Sequence, residues 1–332
     1  MRSEMSAKVL FEGNYSRYRS TLMGVAMLSI MLSHQRFVHV FPINLFMSFG
    51  HWGVDIFLFL SGMGMVGSLM AHTVKEFYYR RFKRLIPLCV LCGAIKYGVF
   101  LLSGSVLENL EVGLNIGPWS IFSLDLWFVY SIIFYYLFSP LFFRWLKSYP
   151  YVSMLLSFVM AFIMHYKFAE KVGYDWLNPL GIALYTIDRL PVFLIGMLVA
   201  IYKERLQNYH FLCSATFAII TVCLALLLKV NYLPSPLQAF VYPLLSLGVL
   251  SIITIQVALF QRSSEKIVMP LSFIGKHSLE IYLVHEFVFA AFLLTLFTRC
   301  NHYLLLLSSF VLSIIVAWCC RWCVERLNFG TR

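Results

Sequence analysis

Charge is scarce in this chain: Asp, Glu, Lys and Arg make up 12% of its 332 residues, about half the usual share of a soluble domain. Acids are the scarcer sign, with 15 Asp and Glu against 26 Lys and Arg. Apolar residues reach 61% and the mean hydropathy is +0.80, which excludes a water-soluble globule. Internal repeats, a polar linker and a composition shift marking a second domain are all missing. No small-residue cleavage site follows the first long apolar run, so that run is expected to stay as a helix. The net charge of +11 is dispersed and forms no basic stripe, so nucleic acid is not an expected partner. Metal ligation is not expected either. Cys89 and Cys92 form a C-x-x-C without a second ligand pair, and Cys319, Cys320 and Cys323 sit in an apolar run. Free Cys behaves as a small hydrophobe, and packing is the preferred reading for all of these.

What is present is a series of apolar stretches near the length of about 20 residues that spans a bilayer core as a helix. They predict an all-α, polytopic membrane protein with about ten transmembrane helices, near 20–39, 50–71, 85–103, 124–143, 151–166, 180–202, 211–229, 238–260, 278–298 and 303–323. Lys and Arg concentrate on the cytoplasmic side of membrane proteins. With the N-terminus inside, only Arg36, Lys167, Lys171, Lys229 and Arg299 fall in outer segments, while Arg80, Arg81, Lys83 and Arg84 fall in an inner one. Both termini are therefore expected in the cytoplasm. The expected organisation is a cytoplasmic tail over 1–16, a transmembrane domain over 17–328 and a short tail over 329–332.

Ionised groups inside a bilayer cost about 2.5 kcal/mol or more each on insertion scales, so those that are kept mark function. Asp55, Asp125, Asp188, Glu280, Glu286, Lys96 and Arg189 all fall within predicted spans. His34 lies near the outer end of the first helix, and Asp55 follows in Gly53-Val54-Asp55-Ile56-Phe57. A histidine facing a buried carboxylate makes a general base, because the carboxylate fixes the tautomer and stabilises the imidazolium. A capping histidine beside an acid paired elsewhere fits the same spacing. Arg81 and Arg84 are three residues apart and share a helix face. Two guanidinium forks on one face suit a diphosphate, and a plain positive-inside anchor has the same composition.

Five stretches in order resemble the acyltransferase-3 family of integral-membrane O-acyltransferases. They are Gly24 to His34, Gly53 to Gly62, Arg81 to Pro87, Arg189-Leu190-Pro191-Val192-Phe193-Leu194-Ile195-Gly196, and Phe273 to His285 through Gly275-Lys276-His277-Ser278. Leu126-Trp127-Phe128 and Val324-Glu325-Arg326 are weaker echoes, and the likeness spans roughly residues 17–328. One position departs: the family places an Arg eleven residues before its catalytic His, and here that residue is Met23. Arg19 lies one turn earlier on the same helical face.

The resemblance implies transfer of an acyl group, most often acetyl, from cytoplasmic acyl-CoA to a hydroxyl of an extracytoplasmic or lipid-linked carbohydrate. His34 and Asp55 would be catalytic, and Arg81 and Arg84 would hold the acyl-CoA donor, with no bound cofactor. Ser61, Trp127, Arg189, Tyr282, His285 and Glu325 are candidates to line the site, the last two bordering the CoA entrance. The setting would be a bacterial cytoplasmic membrane. His34 stands about 24 Å above Tyr18 at helical rise, a gap much of which a pantetheine arm can span. Buried Asp, Arg and His also fit a secondary transporter or a glycan-export component. Inverted repeats and paired broken helices, frequent in transporters, are not evident in the sequence. The remaining histidines, His39, His51, His72, His165, His210 and His302, read as loop or interface residues.

Overall fold

The computed structural model describes residues 7–35, 38, 50–103, 127–172, 179–229, 241–296 and 301–329. Among these, all regular structure is helical. The helices are α1 (Ala7–His34), α2 (Gly50–Ala71), α3 (Val74–Ser103), α4 (Trp127–Ser148), α5 (Pro150–Val172) and α6 (Pro179–Asp188). Then follow α7 (Leu190–Ile201), α8 (Asn208–Lys229), α9 (Val241–Arg262), α10 (Glu265–Lys276), α11 (Ser278–Leu296) and α12 (His302–Phe329).

Within the described residues the ten predicted stretches fall on helix, the sixth broken at Arg189 into α6 and α7, with three further differences at helix ends. The first stops at His34, where the Gln35 side chain turns back to bond both the N–H and the C=O of Val38. The polar tail is already helical from Ala7. The third helix starts at Val74, so the basic run Arg80 to Arg84 lies on a helix rather than in a loop. Its start is set by a capping box. Glu76 accepts from the N–H and hydroxyl of Thr73 at 2.9 and 3.0 Å, and the Thr73 hydroxyl accepts from the Glu76 N–H at 3.3 Å. These bonds hold the Glu76 carboxyl below its ordinary pKa. Asp125 and Leu126 lie outside the described residues.

Among the described residues five spans are long and apolar enough to cross a membrane, with α6 and α7 counted as one, or six when α10 and α11 are taken as one bent span. Shorter apolar stretches occupy α8 and α9, and both α1 and α3 enter through basic N-terminal halves. Large apolar residues point outward on α5 (Tyr151, Leu155, Leu156) and on α12 (Leu304, Leu307, Val311, Ile315). Stripes at this spacing need an apolar solvent. Together these features define a multi-pass membrane protein.

Two close helix pairs position the site. A Cβ at Gly62 would overlap the Phe193 carbonyl, and one at Gly196 would overlap the Phe59 carbonyl, so α2 and α7 lie backbone to backbone. Asp55 meets Arg189 in the same pairing, which makes the two helices parallel. Likewise, α10 lies flush on α1, because Gly24 faces the Leu271 carbonyl and Gly275 faces the Ser20 carbonyl. Small residues of this kind let membrane helices approach closely. Between α10 and α11 the chain turns by 80° at His277. That bend sends α11 away from α10 and carries His285 to the end of α1.

Candidate active site

His34 is the last residue of α1, and its side chain is 34% exposed. Its Nδ1 lies 2.8 Å from Nε2 of His285, with the two rings nearly parallel at 9°. The same Nδ1 is 3.2 Å from a carboxylate oxygen of Glu286. The tautomers follow from the partners. Nδ1 of fully buried His285 faces the carbonyls of Tyr282 and Ile281 at 2.8 and 3.2 Å, so it carries the proton. In a neutral ring Nε2 of His285 then accepts, and His34 donates to it from Nδ1. The Glu286 carboxylate faces that same N–H. His34 is left with the lone pair on Nε2, the arrangement of a general base whose orientation is fixed from behind.

The carboxylate beside His34 is therefore Glu286, and not Asp55 as the sequence reading had it. Asp55 is buried against Arg189, with its oxygen 3.5 Å from Nε. The reason is the α2–α7 contact, which commits the inner face of α2 to the start of α7. Arg189 also stands 4.8 Å over the Trp127 ring and 5.5 Å over Tyr185. Trp127 and Tyr185 stack on one another at 4.8 Å. Beside them, His165 and Asp188 pair at 3.1 Å, both buried, so His165 is an interior group and not a loop residue.

A cavity of about 630 Å³ opens among α1, α2, α3, α4, α10, α11 and α12. Arg19, Arg81 and Arg84 give it a cationic wall, joined by Arg80, Lys276 and Arg321. Met23, Ser61, Phe128 and Tyr282 also line it. The sequence candidates Arg19, Ser61, Arg81, Arg84 and Tyr282 are thus brought together. Arg81 is fixed by a bond to the Gly64 carbonyl at 3.1 Å and stands over the rings of Phe77 and Tyr136 at 5.6 and 5.8 Å. Arg19 passes over Gly64 toward the Leu60 carbonyl at 3.4 Å. It lines the same cavity as Met23, the position where the resemblance called for arginine.

Tyr282 connects the two parts. Its ring borders the cavity and lies 5.5 Å from the ring of His285, which bonds His34. His285 accordingly meets His34 directly and is not among the residues lining the cavity. Glu325 lies apart, bound to Arg321 at 2.8 Å on the wall of a second cavity. The role of Glu286 escaped sequence reading because its partner is about 250 positions away, although an acid within an apolar run had marked it as unusual.

Glu286 is a positioning residue, and Glu286→Gln is expected to cut turnover about tenfold while leaving KM for the donor close to wild type. Gln keeps a hydrogen-bond acceptor but removes the charge that stabilises an imidazolium, worth about 1–2 kcal/mol at a half-exposed site. An unchanged kcat would remove Glu286 from the site.

These features define a class: a multi-pass membrane protein with a His–His–Glu cluster beside a cationic cavity. The profile of the acyltransferase-3 family, described as an acyltransferase domain, matches residues 22–322. The chain belongs to that family, and it is an enzyme that transfers acyl groups. Comparison with curated proteins and with solved structures finds no match.

Proposed function

We propose that the enzyme moves an acyl group, acetyl in the simplest case, from cytoplasmic acyl-CoA to a hydroxyl of an extracytoplasmic or lipid-linked carbohydrate. The observation that carries this reading is the continuity from the cationic cavity through Tyr282 and His285 to His34. A diphosphate donor is held by Arg81 and Arg84, and Arg19 supplies the charge that Met23 lacks. The pantetheine arm runs along the apolar wall toward Tyr282. At His34, Nε2 takes the proton of the acceptor hydroxyl as its oxygen attacks the thioester carbonyl. The C–S bond breaks, the ester forms, and the thiolate leaves as CoA thiol with the proton that His34 had taken. His285 holds the ring, and Glu286 offsets the charge on it between the two transfers. Asp55 and Arg189 serve the site from behind, bracing α2 against α7 beside Trp127.

Ten crossings with both termini inside place Arg81 and Arg84 where CoA is available, on the distribution of Lys and Arg. The parallel course of α2 and α7 supports this count, since as second and sixth spans they would cross in the same sense. The expected setting is a bacterial cytoplasmic membrane, with a lipid-linked or exported glycan as acceptor.

Two measurements test this reading. Membranes containing the enzyme, given acetyl-labelled CoA, should place the label on a glycan, and membranes without it should not. Label that stays on CoA in both would favour a transport role. The joint variant Arg81→Lys with Arg84→Lys should weaken acetyl-CoA binding about tenfold or more while membrane orientation stays the same. Lys keeps the charge that sets topology and loses the planar fork that grips phosphate. Unchanged affinity would reduce the pair to an anchor.

A further inference from the structure

A second cavity of about 510 Å³ adjoins the first and shares with it Arg80, Arg84 and Arg321. Its remaining wall includes Tyr79, Lys83, Glu280 and Glu325. The two carboxylates are engaged with Arg321, Glu325 at 2.8 Å and Glu280 at 4.0 Å. Among the described residues, Arg80, Lys83 and Arg84 are the other cations in its wall, and no carboxylate of that wall pairs with them; Arg80 meets His72 at 2.8 Å. Tyr79 is 63% exposed, and the Lys83 ammonium stands 5.4 Å over its ring.

We propose that this second cavity is the site of the 3′-phosphoadenosine end of the donor, with Lys83 and Arg80 holding the 3′-phosphate and Tyr79 offering its ring to the adenine. The inference rests on acyl-CoA being the donor and goes further by dividing that molecule between two spaces. The thioester end must run along the first cavity, because Tyr282 and His285 lie on that side. Arg84 lines both cavities, so a diphosphate on Arg84 places the nucleoside across it, in the second. A 3′-phosphate carries up to two negative charges, and each ammonium or guanidinium contact to it is a charge-assisted hydrogen bond. An aromatic face beside a cation is a sequence-independent platform for a base. The exposed position of Lys83 also means that its replacement leaves the fold intact.

The consequence is selectivity for the 3′-phosphate. The test compares acetyl-CoA with 3′-dephospho-acetyl-CoA in the full-length enzyme in membranes, reading kcat/KM for each. Wild type is expected to favour acetyl-CoA by about tenfold to a hundredfold, the value of one or two charged contacts. Lys83→Met and Arg80→Gln should each move that ratio toward one, with the change in KM and not in kcat. Equal use of both donors by wild type, or a ratio that neither variant moves, would overturn the subsite while leaving the donor assignment in place. If neither molecule supports transfer by wild type, it is the donor assignment that fails.

Discussion

Replacing His34 with alanine is expected to lower acyl transfer by about 10²–10⁴-fold, the usual cost of losing a positioned base. The protein should still insert and fold, because the side chain is one-third exposed at the very end of α1 and fills no core position. His285 cannot take over. Its Nδ1 is committed to the Tyr282 and Ile281 carbonyls, and it is fully buried behind His34. The loss should therefore appear in kcat, with donor binding retained by the separate cationic cavity. Activity within a few-fold of wild type would remove His34 from the mechanism, and so would an equal loss of acetyl-CoA affinity.

The second large effect is on stability. Arg189→Ala is expected to destabilise the protein by about 3–5 kcal/mol, because removing one partner of a buried pair leaves the other charge uncompensated. Arg189 is 2% exposed and Asp55 is 3% exposed, so neither group has water to fall back on. The loss of cation–π contact with Trp127 and Tyr185 adds to it. Replacing both charges, Asp55→Leu with Arg189→Met, should recover much of the loss, since no orphan charge remains. Thermal unfolding in detergent reads both variants. A single variant as stable as wild type would show that the pair is not a brace between α2 and α7.

How much of this was legible beforehand depended on the range of the signal. Hydropathy located the helices well, because a bilayer selects apolar runs locally; α2 runs over Gly50–Ala71 as predicted. Helix ends set by side-chain chemistry were harder. The Thr73–Glu76 box extends α3 down to Val74, and Gln35 ends α1 at His34, neither of which is a hydropathy feature. The short α10 falls between two predicted spans, since its amphipathic length is below that of a span and its place is set by the Gly24 and Gly275 contacts with α1.

The cationic set showed the same division. Arg81 and Arg84 share a helix face by spacing alone, and the cavity does contain both. Arg80 neighbours them on α3, whereas Lys276 and Arg321 join them only through packing of distant helices. Pairing of acids was the least legible property. Asp55 and Glu286 are both carboxylates in apolar runs, and local sequence favoured the one nearer to His34 in the chain. Only the α2–α7 approach on one side and the 80° bend before α11 on the other decide which acid meets which base.

On the proposed mechanism the donor enters from the basic side and the acyl group leaves at His34. Sealed vesicles of defined orientation, containing the enzyme and a glycan acceptor, test it most directly when acetyl-labelled CoA is supplied to one face at a time. Labelled glycan is expected only when the donor meets the face bearing Arg81 and Arg84, with none formed by His34→Ala. Label transferred equally from either face, or formed undiminished by His34→Ala, would contradict it.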